Sequence, residues 1–159
     1  MLLAQSNLTV AMDASSLAIL QHHCTSFFQE LSTYGEFTEK AQLIDSKRIF
    51  HGRGHTYAGL EWCTIDAFLP ALIITVYSSD YDKLLADFMD WLKLSLPNLI
   101  SSIAIQRRDK PNAIYEWWFR KSFENNESTS EIFARWKGLR FKLNFSQQNC
   151  GFFLDIEPG

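Results

Sequence analysis

Two stretches hold residue types that could do chemistry: the run His51-Gly52-Arg53-Gly54-His55, and a basic, aromatic region from Gln106 to Phe145. Histidines four apart on a helix could share a zinc ion, but glycines on both sides of Arg53 work against a helix, so no metal site is assigned. Two readings stay open for this run. Its amides and guanidinium could meet a phosphate or carboxylate in a loop, or it could be a tight turn whose glycines serve φ values and whose Arg53 pairs with Glu61 or Asp66. No catalytic set emerges. Cys24, Cys63 and Cys150 are scattered, odd in number and without a C-x-x-C spacing, which points to reduced packing residues rather than disulfides or zinc. Adjacent His22 and His23 would point to different sides of a helix.

Charge is unevenly spread. Residues 1–105 hold six lysines and arginines against eleven acidic residues, 106–145 hold nine against five, and the tail holds none against two. Within the basic segment Tyr115, Trp117, Trp118, Phe119, Phe133 and Trp136 are interleaved with cations, the mixture of phosphate contacts and stacking faces that RNA binding uses. The candidate RNA-binding residues are Arg53, Arg107, Arg108, Lys110, Arg135, Arg140 and Lys142. The competing reading is that the aromatics are core and the cations a solvated face.

Strands and helices must position these groups. Leu139, Phe141, Leu143 and Phe145 alternate with polar residues, as do Ile132, Ala134 and Trp136 before them, and Lys137-Gly138 between the two runs predicts a β-hairpin. The turn sets Trp136 opposite Leu139, Ala134 opposite Phe141 and Ile132 opposite Leu143 on a buried side, with Arg135 facing Arg140 outside. Upstream, Leu17, Leu20, Cys24, Phe27, Phe28 and Leu31 form a helical stripe, with Asp13, Ser15 or Ser16 as caps. A charged connector covers 36–47. Strands are expected over 60–68 and 71–77, hinged at Leu69-Pro70, the second apolar enough to be central. A helix capped by Ser78-Ser79-Asp80 and stopped at Pro97 follows, then strands through Ile103 to Arg107 and over Tyr115 to Arg120. The pattern predicts an α+β fold: a mainly antiparallel sheet with helices on one face, ending in a hairpin.

The chain has 159 residues, 47% hydrophobic and 14% aromatic, with a formal net charge of −3. That suits one domain with a real core and excludes a disordered chain. The longest apolar run is too short to span a bilayer and the N-terminus lacks a secretory pattern, so a cytoplasmic protein with no membrane partner is expected.

Two segments carry a family resemblance. Gln148 to Asp155, reading Gln-x-x-Gly-Phe-Phe-Leu-Asp after a strand pair, resembles the entry to the catalytic domain of class I S-adenosylmethionine-dependent methyltransferases related to the ribosomal RNA large-subunit methyltransferases. Arg48 to Tyr77, together with Ile103 to Asp109, is similar to the auxiliary region that precedes that domain in a bacterial branch of the family. After the helical arm and connector that the apolar stripe and charged composition give over 1–47, the resemblance implies an α+β substrate-recognition domain over 48–150, and an entry segment over 151–159 to a catalytic domain not contained in the chain. It implies that Gly151, Phe152, Phe153 and Asp155 help wall the S-adenosylmethionine pocket of the parent enzyme, that the chain alone binds no cofactor, and that ribosomal RNA and the C-terminal catalytic domain are partners. The glycine-rich turn of the family's cofactor strand is not matched, since the lone Gly52-Arg53-Gly54 lacks a following amphipathic helix. The function expected is therefore non-catalytic presentation of RNA. The alternative is a stand-alone interaction or dimerisation module, a homo-oligomer, without enzymatic activity.

Overall fold

The computed structural model describes residues 2–35, 43–120 and 131–147, with Gly151 and Leu154. Most of the charged connector and most of the entry segment lie outside them. Helix α1 spans Leu2–Ser32. The expectation of a cap at Asp13 to Ser16 is corrected here, because helix runs straight through those residues. Leu20, Cys24, Phe27 and Leu31 recur at steps of four, three and four and are all buried, so one stripe faces the core. The helix unwinds through bonds from Thr33, Tyr34 and Gly35 N–H to the carbonyls three residues back, and Gly35 takes a positive φ of 73°.

Five strands form one sheet in the order β1 (Lys47–His51), β2 (Cys63–Phe68), β3 (Ala71–Val76), β4 (Ser102–Arg107) and β5 (Tyr115–Arg120). Neighbours are antiparallel except β3 and β4, which run parallel from Ala71↔Ser102 to Val76↔Arg107. A parallel pair needs a crossover, and helix α2 (Asp82–Ser95) supplies it. Ser78 caps the short 3-10 turn Ser79–Tyr81 that leads into α2, its hydroxyl accepting from Asp80 N–H at 3.2 Å. β1 takes in His51, so within the His51–His55 run it is Gly52–Gly54 that forms a tight turn. Strand β2 begins at Cys63 rather than Leu60, because Leu60 and Cys63 N–H close turns onto Tyr57 and Leu60 carbonyls.

β3 is central and all six of its residues are buried. Leu72, Ile74 and Val76 face both helices in the larger core cluster, with Leu20, Phe27, Phe88 and Leu92. Ala71 and Ile73 face the other way, where the hairpin β6 (Phe133–Trp136) and β7 (Leu139–Lys142) covers the sheet through Ile132, Ala134 and Leu143. The layers are therefore helices, sheet and hairpin. Phe145 reinforces the third layer by meeting Tyr115 and Trp117 edge-on, both at 5.2 Å. The hairpin register is the expected one, with Trp136↔Leu139, Arg135↔Arg140 and Ala134↔Phe141, and Lys137 and Gly138 both have positive φ, as a type I′ turn requires. One expectation fails: Leu139 and Phe141 are not buried but 56% and 40% exposed, because the residues packed against the sheet are Ile132, Ala134 and Leu143. No helix among the described residues is long and apolar enough to cross a membrane.

Candidate nucleic-acid interface

The seven candidate cations separate into two groups at opposite ends of the sheet. Arg53, Arg107, Arg108 and Lys110 lie at the carboxyl ends of the parallel strands, while Arg135, Arg140 and Lys142 lie on the hairpin. Arg135 reaches the carbonyl of Leu69, beside the start of β3, whereas Arg107 is in register with Val76 at its end. At about 3.3 Å per residue the two groups stand roughly 17 Å apart. They do not form one continuous patch.

At the first end, the 3-10 turn Gly52–Gly54 follows β1 directly. Gly52 is dictated by space: a Cβ there would lie 1.8 Å from the Leu60 carbonyl oxygen and 2.6 Å from that of Cys63. The left-handed residue is His55, with φ 58°. The glycines thus serve close approach rather than positive φ, and the expected partners of Arg53 are also corrected. Asp66 is held by Arg48, directly opposite it across β1 and β2, with Nε–Oδ1 at 2.7 Å and Nη2–Oδ2 at 3.2 Å. Glu61 accepts from the Gly59 amide at 2.9 Å. Exposed Arg53 instead lies over the Tyr77 ring, 4.3 Å from its centre. Tyr77 is the residue after β3, its N–H donating to Trp62 at 2.7 Å, and Trp62 stacks on Tyr81 at 5.4 Å.

Arg107 is engaged. It donates to both oxygens of Asp109, at 2.9 and 2.5 Å, and to Asp82 at 2.7 Å, fastening β4 to the start of α2. Hydrogen bonding to Asp109, then to Asp82, keeps Arg107 firmly protonated against the cost of burial, and the same bond holds the Asp109 carboxyl below its usual range. Arg108 donates to Gln106 Oε1 at 3.2 Å, and the buried Gln106 amide donates to the Ala113 carbonyl at 2.6 Å. The side chains of Arg108 and Lys110 are exposed. Exposed cations beside aromatic rings, at the carboxyl ends of parallel strands, occupy the place where open α/β sheets bind ligands.

On the hairpin, Arg140 lies 4.1 Å from the centre of the Phe133 ring and Lys142 is paired with Glu131. Half-buried Arg135 donates one Nη to Leu69 O at 2.9 Å, while its Nε is buried without a partner among the described residues. Burial, and then Arg140 opposite, lower its pKa. Of the aromatics proposed to stack, Tyr115, Trp117 and Phe119 pack against the cores, and Trp118 is 39% exposed. Tyr77 is a candidate-site residue that sequence reasoning missed; the end of the β-branched run was the available signal.

Elsewhere, His23 Nε2 lies 3.0 Å from the Tyr57 hydroxyl oxygen. No group of three or more potential metal ligands occurs among the described residues. Gly151 and Leu154 line an open groove of about 1060 Å³ beside Phe27, Tyr34, Trp136 and Phe141. Its acidic members are engaged, Glu30 by Lys47 at 2.9 Å and Asp45 by the Lys137 N–H at 3.0 Å. Phe152, Phe153 and Asp155 lie outside the described residues. A scan against protein-family models and a search of curated proteins both found no match.

Proposed function

We propose that this chain is the non-catalytic, RNA-presenting part of an S-adenosylmethionine-dependent methyltransferase acting on ribosomal RNA, in which a separate Rossmann-like domain carries cofactor and chemistry. The observation that carries the reading is the stack of Arg53 on Tyr77 beside exposed Arg108 and Lys110, at the carboxyl ends of β3 and β4. Stacking on the ring orients the Arg53 guanidinium and leaves its N–H edge for a phosphate. Arg108 and Lys110 supply further phosphate contacts, and Arg107 positions their loop rather than touching RNA. By the family resemblance, Gly151, Phe152, Phe153 and Asp155 would face the cofactor-bearing domain. Arg135, Arg140 and Lys142 stand apart from this end and make at most a second contact.

Fluorescence anisotropy with a labelled single-stranded ribosomal RNA fragment tests the proposal. Binding at about 50 mM salt should fall steeply as salt rises. Combined Arg53→Ala, Arg108→Ala and Lys110→Ala substitution should weaken it at least ten-fold and flatten the salt slope by roughly 2, at about 0.7 for each phosphate no longer neutralised. Undiminished affinity in the folded triple variant, or no binding at low salt, overturns the reading.

A further inference from the structure

The hairpin carries a different kind of surface, independent of the RNA reading. Its tight turn makes Trp136 and Leu139 a hydrogen-bonded pair, and the Leu143 N–H bonds the Ile132 carbonyl at 2.9 Å. Bonded and non-bonded pairs alternate along an antiparallel ladder, so the intervening pair Arg135 and Arg140, with Lys142, turns its backbone groups outward. On β6 that edge is occupied, because Arg135 O accepts from Ser46 N–H at 2.7 Å and Arg135 N–H donates to Ser46 Oγ at 2.9 Å. On β7 the corresponding groups of Arg140 and Lys142 meet no backbone partner among the described residues. All four residues of β7 are exposed.

From this edge we infer that β7 accepts an added strand from another protein, an extended segment in which acidic and apolar residues alternate. Main-chain bonds to Arg140 and Lys142 would hold it, as in other strand additions. Its apolar side chains would extend the face formed by Leu139 and Phe141 toward Trp136 and the groove. Its acidic side chains would fall beside Arg140 and Lys142 on the other face. Charge decides the occupant. Arg135 and Arg140 already oppose each other across the hairpin, an unfavourable juxtaposition. A carboxylate beside Arg140 offsets that repulsion. A second copy pairing β7 with β7 would instead bring further like charges together.

The probe is a fluorescein-labelled octapeptide of alternating glutamate and valine, titrated into the full chain at low salt. Saturable binding is expected, weakened at least ten-fold in the Arg140→Glu, Lys142→Glu double variant. An analogue N-methylated at alternate positions should bind at least ten-fold more weakly to the unaltered protein, a comparison that needs no variant to fold. A peptide alternating lysine and valine should not bind. Absence of saturable binding, or equal binding of the N-methylated analogue, overturns the inference. So does sedimentation showing a dimer that the double variant abolishes, which would make a second copy the occupant.

Discussion

Arg53 rests 4.3 Å above the ring of Tyr77, joining the turn after β1 to the residue that follows β3. Loss of an exposed cation–π contact costs about 0.5–1 kcal/mol, so Arg53→Ala should leave the urea midpoint nearly unchanged while reducing RNA affinity. Arg107→Ala should do the opposite, lowering the midpoint clearly because Asp109 and Asp82 lose their shared partner. Equal stability losses in the two variants would contradict this division of roles.

Gly52 and Gly54 look equivalent in sequence and are not. An added methyl at Gly52 meets backbone oxygen at 1.8 Å, whereas at Gly54 it meets the His51 ring edge at 3.0 Å. Gly52→Ala should destabilise by about 3 kcal/mol or more and Gly54→Ala by about 1 kcal/mol or less, within the range for overpacking. Urea denaturation of the two variants gives the ranking directly; reversal would mean that the turn does not press on Leu60.

Burial, with a smaller contribution from His22, lowers the pKa of His23 below its ordinary 6.5. The folded chain then holds this proton less tightly than the unfolded chain, so stability from this group rises with pH towards 6.5 and is level above it. Unfolding midpoints should be lower at about pH 5 than at about pH 7.5, and His23→Gln should narrow that gap. A gap of unchanged size in the variant would remove His23 as its source.

Cys24 and Cys63 are buried, and burial pushes the Cys24 thiol up to about 12 and the Cys63 thiol higher still. Thiolate is the reactive form. Native protein treated with iodoacetamide at about pH 8 and digested should show both cysteines unlabelled by mass spectrometry until denaturant is added. Rapid native labelling of either would show that the core opens at α1 and β2.

Much of the fold was legible where local signals agreed with tertiary context. Tyr115 to Arg120 was expected as a strand and is one, and the hairpin register follows from Lys137-Gly138 because a two-residue turn leaves no alternative pairing. β1 was not legible, because Ile49 and Phe50 are adjacent and both at least nine-tenths buried, with a register irregularity between Arg48 and Phe50 that breaks the alternation of a strand. The start of α1 was misplaced because Asp13, Ser15 and Ser16 are good caps that also tolerate a helix interior. Exposure of Leu139 and Phe141 depends on which part of the hairpin is seated on the sheet, which periodicity does not encode. At the candidate interface the residue types were visible, but not the partners: Arg48 opposes Asp66 only once β1 is paired with β2, and Arg53 reaches Tyr77 only once the turn is placed.

The Ser46 amide donates to Arg135 at 2.7 Å, a bond spanning 89 residues of chain. It makes one proton a reporter for the whole third layer. If the hairpin lifts from the sheet as a unit, Ser46 must exchange with solvent at the lifting rate, whereas the Tyr77 and Arg108 amides, bonded within the sheet's far end, remain protected until global unfolding. The ratio of their protection factors would therefore measure how much free energy fastens the hairpin, with no substitution introduced.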